Sequence, residues 1–306
     1  MIELIKNTKI DFMGKRKIAL SVSAVLIFLG VFTIVQVARG TANLGIDFAG
    51  GTAVQIKFEK KESLQNIRQA LSSVNIEGVE LQELPAENKV LIQVKKQEEG
   101  NLGEISDSIV SALEKNISDN SFIVDSTTQV GPKVGKQLRR DALLAILVSV
   151  IAILVYIAWR FQFSFGVGAT VATFHDVMAV LGILYLFGRE INLIIVSALL
   201  MIAGYSLTDT VVVFDRIREN LRRYLQKEGT INVINRSINE VLSRTIITSL
   251  TTFFAAAALY LFGGEVIHDF ALAIMLGILV GTYSSIFVAS PIVLMWTGKK
   301  EMYKKK

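Results

Sequence analysis

The sequence contains no cysteine, and His175 and His268 are its only two histidines among 306 residues. Without thiols the chain cannot form a disulfide, a zinc–thiolate site or a cysteine nucleophile. Two imidazoles also argue against a histidine-rich metal centre. Metal-dependent and thiol-dependent chemistry are therefore poor starting points for a function.

The sequence also lacks the motifs by which common enzymes are recognised. Gly131–Gln137 resembles a phosphate-binding loop, but its spacing is one residue short, and Gln137 stands where Ser or Thr must hold magnesium. Gly-x-Ser-x-Gly and His-Glu-x-x-His are both absent. We therefore expect a protein that is not an enzyme and binds no cofactor, and any energy-driven role must use a source other than ATP hydrolysed by this chain.

Charge is scarce: 19% of residues are charged and 52% are hydrophobic, with a mean hydropathy of +0.50, whereas soluble domains carry about 25% charged residues. The apolar residues lie in blocks, and a membrane span needs about 20 of them. Six blocks qualify, namely Ile18–Ala38, Ala142–Trp159, Gly166–Phe187, Ile191–Phe214, Thr245–Phe262 and Phe270–Thr297. Since the first run is longer than the roughly 7–15 residues of a signal-peptide core, we interpret it as an uncleaved anchor.

Basic residues set the expected orientation of these spans. Lys and Arg are concentrated in residues 1–17, 215–244 and 298–306, against Arg189 alone in the two short loops opposite. The positive-inside rule then predicts cytoplasmic tails at 1–17 and 298–306, a cytoplasmic loop at 215–244, and residues 39–141 outside. The basic residues at 133–140 oppose this orientation, but long translocated domains obey the rule weakly.

An apolar stripe runs along the segment 215–244. It predicts an interfacial helix lying on the cytoplasmic surface. Its members are Ile231, Ile234, Ile238, Val241 and Leu242.

Residues 39–141 have the composition of a soluble α+β domain. Alternating and helical periodicities predict strand, helix, strand, strand, helix and strand in turn. Their expected ranges are 52–59, 62–74, 77–84, 89–96, 102–117 and 122–130, with a turn at 85–88. This order is the ferredoxin-like motif. The predicted fold class is a polytopic α-helical membrane protein with six transmembrane helices and a small α+β ferredoxin-like extracytoplasmic domain.

Ionisable residues inside the apolar blocks are the functional candidates. Asp209 lies in the fourth block and His175-Asp176 in the third, and each such group costs about 2.5–3.5 kcal/mol to insert. Arg244 opens the fifth block from the same side, at a depth that can match Asp209. Asp209 could belong to a proton path or to a static ion pair. Arg244 could be the partner of Asp209 or a flanking residue whose side chain snorkels to the membrane surface. The pair His175-Asp176 could belong to a proton path or could be a polar pair that joins helices.

Two glycines in the sixth block have a structural interpretation. Gly277 and Gly281 form a GxxxG pattern. We interpret it as a place where two helices pack closely.

Several segments together resemble the SecF family. They occur in order along nearly the whole chain, at Gly45–Gly51, Val130–Pro132, Phe174–Val177, Gly204–Asn220, Ser243–Ser249, Tyr260–Gly264 and Ser284–Ser290. The segment Gly204–Asn220 is the most specific of these. The sister SecD family shares an Asp-Phe-x-Gly-Gly motif but carries a much larger outside domain, so the size of residues 39–141 fits SecF.

The resemblance implies a subunit of the SecD–SecF complex of bacterial protein export, a six-span half of an RND-superfamily unit in the bacterial cytoplasmic membrane. It implies SecD, the SecYEG translocon and a translocating preprotein as partners, with YajC as a further candidate, in contact with the lipid bilayer and with no nucleic acid. It also implies a late, ATP-independent step driven by the proton-motive force, with protons as the coupling ion.

The resemblance assigns roles to particular residues. The family's functional aspartate and arginine correspond to Asp209 and Arg244, and Asp176 and His175 join them as proton-coupling candidates. On this hypothesis, protonation of Asp209 loosens its pairing with Arg244, the helices shift and the outside domain moves. The outside motif of the family corresponds to Asp47, Phe48, Gly50, Gly51, Gly131 and Pro132.

Two other functions stay open at this point. One is an RND-type proton-coupled half-transporter of small molecules or lipids, which requires a large apolar cleft in the outside domain. The other is a purely structural translocon subunit, which would be indifferent to changes at Asp209 and Arg244.

Overall fold

The computed structural model describes residues 8–72, 78–84, 88–95, 102–160 and 163–296. Within this part of the chain, Leu44–Leu144 and Glu190–Leu193 form a small compact unit, and the long helices form a second, larger unit. The sequence-predicted turn at 85–88 lies mostly outside the described residues, and the tail at 298–306 lies wholly outside them.

The described helices, numbered along the chain, are α1 (Arg16–Arg39), α2 (Ile46–Ala49), α3 (Leu64–Ser72), α4 (Leu102–Asn116), α5 (Pro132–Arg160), α6 (Phe163–Leu186), α7 (Leu193–Glu228), α8 (Thr230–Phe262) and α9 (Glu265–Ser284). A π-helical turn at Ser285–Ala289 follows α9, and the last span continues to Trp296. Six of these segments are long and apolar enough to cross a membrane. The prediction of six transmembrane helices is confirmed.

The larger unit is built around α6, α7 and α9. In their most apolar stretches 61%, 50% and 61% of the residues are buried, against 22%, 11% and 17% in α1, α5 and α8. A Cβ atom on Gly277 would lie 2.4 Å from Cγ1 of Ile202, and one on Gly281 would lie 3.1 Å from Cβ of Ser206. The predicted close packing at Gly277 and Gly281 is therefore confirmed, and α7 is the neighbour.

The segment 215–244, which charge alone predicted to be a loop, is almost entirely helical. Helix α7 continues to Glu228, and α8 begins at Thr230 after a turn at Gly229 with φ of 74°. Ion pairs one helical turn apart stabilise both extensions, with Arg216 to Glu219 at 2.7 Å and Arg236 to Glu240 at 3.1 Å. The charges end the apolar stretch but do not end the helices.

The prediction of an interfacial helix within this segment is wrong. Ile234 and Ile238 are fully buried in a cluster that contains Phe12 and Met13. The Asn239 side chain holds this N-terminal segment, because its Oδ1 accepts from the Ile10 N–H at 3.0 Å and its Nδ2 donates to the Ile10 carbonyl at 2.9 Å. The stripe therefore belongs to the protein core, since a segment more than 200 residues earlier in the chain covers it.

The small unit contains a four-stranded antiparallel sheet of β1 (Gly51–Phe58), β2 (Val79–Leu84), β3 (Lys89–Lys95) and β4 (Phe122–Val130). The strand order is β2-β3-β1-β4, which is the ferredoxin-like arrangement that the sequence predicted. Alternate residues of β1, such as Ile56 and Phe58, pack with Ile67 of α3 and with Ile109 and Leu113 of α4.

The Glu62 carboxylate joins the segment just before β4 to the start of α3. Asn120 Nδ2 donates to Glu62 Oε2 at 2.9 Å, and Asn66 Nδ2 donates to Oε1 at 2.8 Å. The hydrogen bond from Asn120, followed by that from Asn66, lowers the pKa of Glu62 below its ordinary value.

This lowered pKa makes the stability of the α+β domain depend on pH. The stabilisation is fully present above the unfolded pKa of about 4.3 and is lost as the pH falls through the lower folded pKa. Glu62→Gln lacks the charge at every pH. In thermal unfolding of the full chain in detergent, we expect the wild type to melt above Glu62→Gln at neutral pH, with the gap closing as the pH falls below about 4.3 and through the lower folded pKa. A gap that widens in acid, or an equal gap for the exposed Glu59→Gln control, would contradict this assignment.

Candidate functional site: a polar network between the membrane helices

Four of the long helices bring ionisable and hydroxyl side chains together inside the larger unit. On α7, Ser206, Asp209 and Thr210 lie at spacings of three and four residues, so they share one face of the helix. All three are buried, and Asp209 is 6% exposed. Helix α6 contributes His175 and Asp176, which are both fully buried.

The Asp176 carboxylate is surrounded by donors from three helices. His175 Nδ1 lies 2.9 Å from Asp176 Oδ1. Ser284 Oγ of α9 donates to Oδ2 at 2.8 Å, and Ser206 Oγ of α7 donates to the same oxygen. These bonds supply the partners that a buried carboxylate requires.

The second ring nitrogen of His175 is different. His175 Nε2 is buried and has no hydrogen-bond partner among the described residues. A polar atom of this kind is costly to bury without a hydrogen bond. The His175-Asp176 pair therefore joins three helices through Asp176, while His175 Nε2 has no partner among the described residues.

The Asp209 carboxylate has a sparser environment. Ser249 Oγ of α8 donates to Asp209 Oδ2 at 3.2 Å, and Ser249 Oγ lies 2.7 Å from Thr282 Oγ1 of α9. One residue further along α7, Thr210 Oγ1 lies 2.9 Å from Ser285 Oγ, at the start of the π-helical turn. Hydroxyl groups therefore contact Asp176 where α6, α7 and α9 meet, and Asp209 where α7 and α8 meet near α9.

Arg244 lies near Asp209 but does not bond to it directly in this structure. Among the described residues, no ion pair joins the two side chains. Arg244 is exposed and lines a cavity of about 870 Å³ between the basic ends of α7 and α8. The expected direct pairing is not formed here, and Ser249 is a direct donor to the carboxylate.

The cavity beside Arg244 is rich in arginine. Asp215 and Glu219 are among its acidic members, and Asp215 Oδ1 accepts from Arg218 Nη2 at 2.9 Å. The arginines that line it are Arg216, Arg218, Arg222, Arg223 and Arg244. We call this side of the larger unit its arginine-rich end.

The residues of the outside motif come together in the small unit, at one end of the sheet. Gly50 has φ of 74° and Gly51 has φ of 146°. A Cβ atom on Gly51 would lie 2.1 Å from the Val94 carbonyl oxygen, and one on Gly50 would lie 3.0 Å from Cα of Pro132. Only glycine fits these two positions.

The motif residues Phe48, Gly131 and Pro132 lie beside these two glycines. Phe48 is buried, and Gly131 separates the last residue of β4 from Pro132. Pro132 is the first residue of α5, a position where its fixed φ is favourable. Helix α5 therefore begins ten residues before the apolar block that predicted it.

The structure adds residues that the sequence did not single out. The hydroxyl groups of Ser206, Ser249 and Ser284 are buried in otherwise apolar helices, and that of Thr282 is half-buried. Ser206 lies three residues before Asp209, but the other three have no ionisable residue three or four positions away in the sequence. Hydroxyl residues are also common where membrane helices pack, so the sequence does not single these out. Among the described residues, no cluster of three His, Asp or Glu side chains could hold a metal ion.

Two protein-family models match this chain. The family model described as protein export membrane protein SecD/SecF, C-terminal, matches residues 109–299, and the SecD/SecF GG motif model matches residues 42–62.

Two relatives match over nearly the full chain. The chain is 58% identical to the protein translocase subunit SecF of Thermodesulfovibrio yellowstonii, over 100% of both chains. It is 46% identical to the protein translocase subunit SecF of Calditerrivibrio nitroreducens, over 96% of each.

Solved structures agree with the sequence matches. The crystal structure of SecDF from Thermus thermophilus matches with a TM-score of 0.82 and 36% identity, covering 95% of this chain and 39% of that chain. A SecDF structure in a super-membrane-facing form matches with a TM-score of 0.69 and 36% identity, covering 98% and 40%. This chain therefore spans about two fifths of each solved chain.

The hydrogen bonds around Asp176 predict how removal of its carboxylate changes the stability of the fold. Asp176→Ala leaves His175, Ser206 and Ser284 without their common acceptor, and each unsatisfied buried group costs about 1–3 kcal/mol. We expect a clear loss of thermal stability in detergent, whereas Asp176→Asn, which keeps one carbonyl oxygen, retains most of it. Asp215→Ala is the control, since its carboxylate is 44% exposed. Equal melting of Asp176→Ala and wild type would show that the network does not hold the helices together.

Proposed function

This chain belongs to the SecF family of protein translocase subunits, and we propose that it couples proton movement through the membrane to a late, ATP-independent step of protein export. It is a multi-pass membrane protein, and SecD is its partner in the export machinery. The proposal adds the SecYEG channel and the moving preprotein as the partners on which the complex acts, with YajC as a further candidate.

The proposed topology places both termini and the arginine-rich end in the cytoplasm, and the α+β domain on the other side of the membrane. It rests on the distribution of Lys and Arg along the sequence. The cavity beside Arg244 is then a cytoplasmic entrance, and protons would reach it from water on that side.

One observation carries the proton-coupling proposal: a carboxylate sits inside an apolar helix beside an arginine-lined cavity. Asp209 is 6% exposed and accepts a hydrogen bond from Ser249, and Arg244 reaches the cavity on one side of it. A carboxyl group binds a proton more readily in apolar surroundings and releases it more readily near a cation. An aspartate that alternates between the two surroundings takes up a proton and then releases it.

Hydrogen bonds between helices give this proton a mechanical consequence. Asp209 is bonded from α8, and Asp176 on α6 is bonded from α7 and α9. A proton on either carboxyl turns one acceptor oxygen into a donor, so the hydroxyl groups around it must rearrange. Because these hydroxyls lie on different helices, the rearrangement changes how the helices are held together.

The energies involved are comparable. A proton that crosses the membrane potential contributes about 2.3 kcal/mol per 100 mV. A buried ionisable group costs about 2.5–3.5 kcal/mol by insertion scales. The potential is therefore large enough to bias an equilibrium between the charged and the neutral carboxyl.

The small-molecule alternative receives no support from the α+β domain. A transporter of drugs or lipids needs a large apolar cleft there. A cavity of about 440 Å³ in this domain is instead lined mainly by polar side chains, among them Glu62, Asn66, Asn116 and Asn120. A purely structural role predicts indifference to Asp209, which the following variant tests.

Asp209→Asn removes the titrating group while keeping the size of the side chain. We expect unprocessed precursor proteins to accumulate in cells whose only copy carries this change, at normal abundance by blot. Loss of the drive from one proton, about 2.3 kcal/mol per 100 mV, corresponds to a slowing of up to roughly 50-fold. The exposed Asp141→Asn on α5 is the control and should export normally. Normal processing by Asp209→Asn would eliminate the proton-coupling role and leave the structural one.

Arg244→Ala tests the cation separately. The side chain is exposed, so its loss should leave abundance and melting temperature unchanged while precursor processing slows. Arg244→Lys keeps the charge but loses the planar fork, and we expect it to retain part of the activity. The comparison is Lys17→Ala, another exposed cation that flanks a membrane span. If Arg244→Ala and Lys17→Ala process precursors equally well, Arg244 is only a flanking residue.

A further inference from the structure

The Asp47 carboxylate of the outside motif reaches the first residue of α7. Asp47 Oδ2 accepts a hydrogen bond from the Leu193 N–H at 3.1 Å, and Leu193 begins that helix. The first N–H groups of a helix have no partner within the helix. Aspartate is among the preferred caps, and its charge is favourable at this end of the helix. Here one acceptor for these N–H groups comes from a segment 146 residues earlier in the chain.

Further contacts tie the residues before α7 to the same end of the sheet. Leu44 and Ile191 form a parallel β-bridge, and the Gly45 N–H donates to the Ile191 carbonyl at 2.9 Å. Lys95 Nζ lies 3.0 Å from Glu190 Oε1, with side chains that are 12% and 14% exposed. An ion pair shielded to this degree is screened much less than a surface pair.

The position of Asp47 is itself fixed by the two glycines of its motif. The Gly50 N–H donates to the Ile46 carbonyl at 2.9 Å and closes the single turn of α2. Gly51 then starts β1 in contact with the Val94 carbonyl. The carboxylate therefore stands on a short, tightly packed turn with little freedom to follow a moving partner.

We propose that Asp47 is a positioning residue that clamps the first turn of α7 to the motif turn of α2, and that export depends on this clamp. Asp209 lies sixteen residues after Leu193 on the same helix, or about 24 Å of helical rise. The inference rests on the proposed function. It assigns the Asp-Phe-Ala-Gly-Gly motif the task of fixing the start of the helix that also carries Asp209.

The cap is tested by amide hydrogen exchange on the full-length protein in detergent. In Asp47→Ala the amides at the start of α7 should exchange roughly 2- to 30-fold faster, the range that loss of a cap gives. The amides of β1 and β3 should not change, which separates a lost cap from a misfolded domain. Asp47→Asn keeps a carbonyl acceptor and should remain near wild type, as should Asp125→Ala on β4. Unchanged exchange in Asp47→Ala would overturn the clamp.

The functional test uses the absence of native cysteine. Asp47→Ala should accumulate precursor at normal abundance. Adding Leu44→Cys and Ile191→Cys to this variant places a disulfide at the β-bridge, and its oxidation should restore export by replacing the lost clamp. A protein that carries these two cysteines but keeps Asp47 should export equally well in the oxidised and the reduced state, because its clamp is closed in both.

Three outcomes would overturn the inference: normal export by Asp47→Ala, no rescue by the disulfide, or a block when the wild-type clamp is oxidised. Asp209→Asn run in parallel keeps the two proposals apart. If it blocks export while Asp47→Ala does not, the clamp fails and proton coupling stands. If Asp209→Asn exports normally, proton coupling itself fails.

Discussion

The cost of keeping a carboxylate inside an apolar bundle organises the centre of this protein. Asp176 and Asp209 are buried where the hydrocarbon of a membrane offers no hydrogen-bond donor. Hydroxyl groups from neighbouring helices supply the donors, and those helices must therefore pack closely. Gly277 and Gly281 allow this, because α9 approaches α7 where side chains with a Cβ would collide. Close helix packing therefore brings the hydroxyl donors within hydrogen-bond distance of the buried carboxylates.

Three of the features described above lie along helix α7. It begins at Leu193, where Asp47 caps it, carries Asp209 near its middle, and ends among the ion pairs of the arginine-rich end. A long helix is a stiff element, because each residue is held by a backbone hydrogen bond. The same stiffness explains why charge did not break the helix after Phe214: neighbouring Arg and Glu side chains pair along its surface.

The sequence alone predicted the number of spans, the order of strands and helices in the α+β domain, and the ionisable residues inside the apolar blocks. Each depends on local composition or on a periodicity of a few residues. The sequence did not predict that Phe12 and Met13 cover the stripe of Ile234 and Ile238, so that stripe was placed on the membrane surface. An amphipathic helix has the same pattern whether lipid or protein covers it.

What the sequence determined by itself is which segments can leave water and which charges must then be accommodated, because both follow from transfer free energies of individual residues. What only the tertiary structure decided is how those charges are accommodated. It places Ser206 and Ser284 on Asp176, Ser249 on Asp209, and Asp47 on the first turn of α7. These partners lie 30 to 146 residues apart in the chain. A local sequence pattern does not predict contacts between residues this far apart in the chain, because the packing of whole helices and strands brings their atoms together.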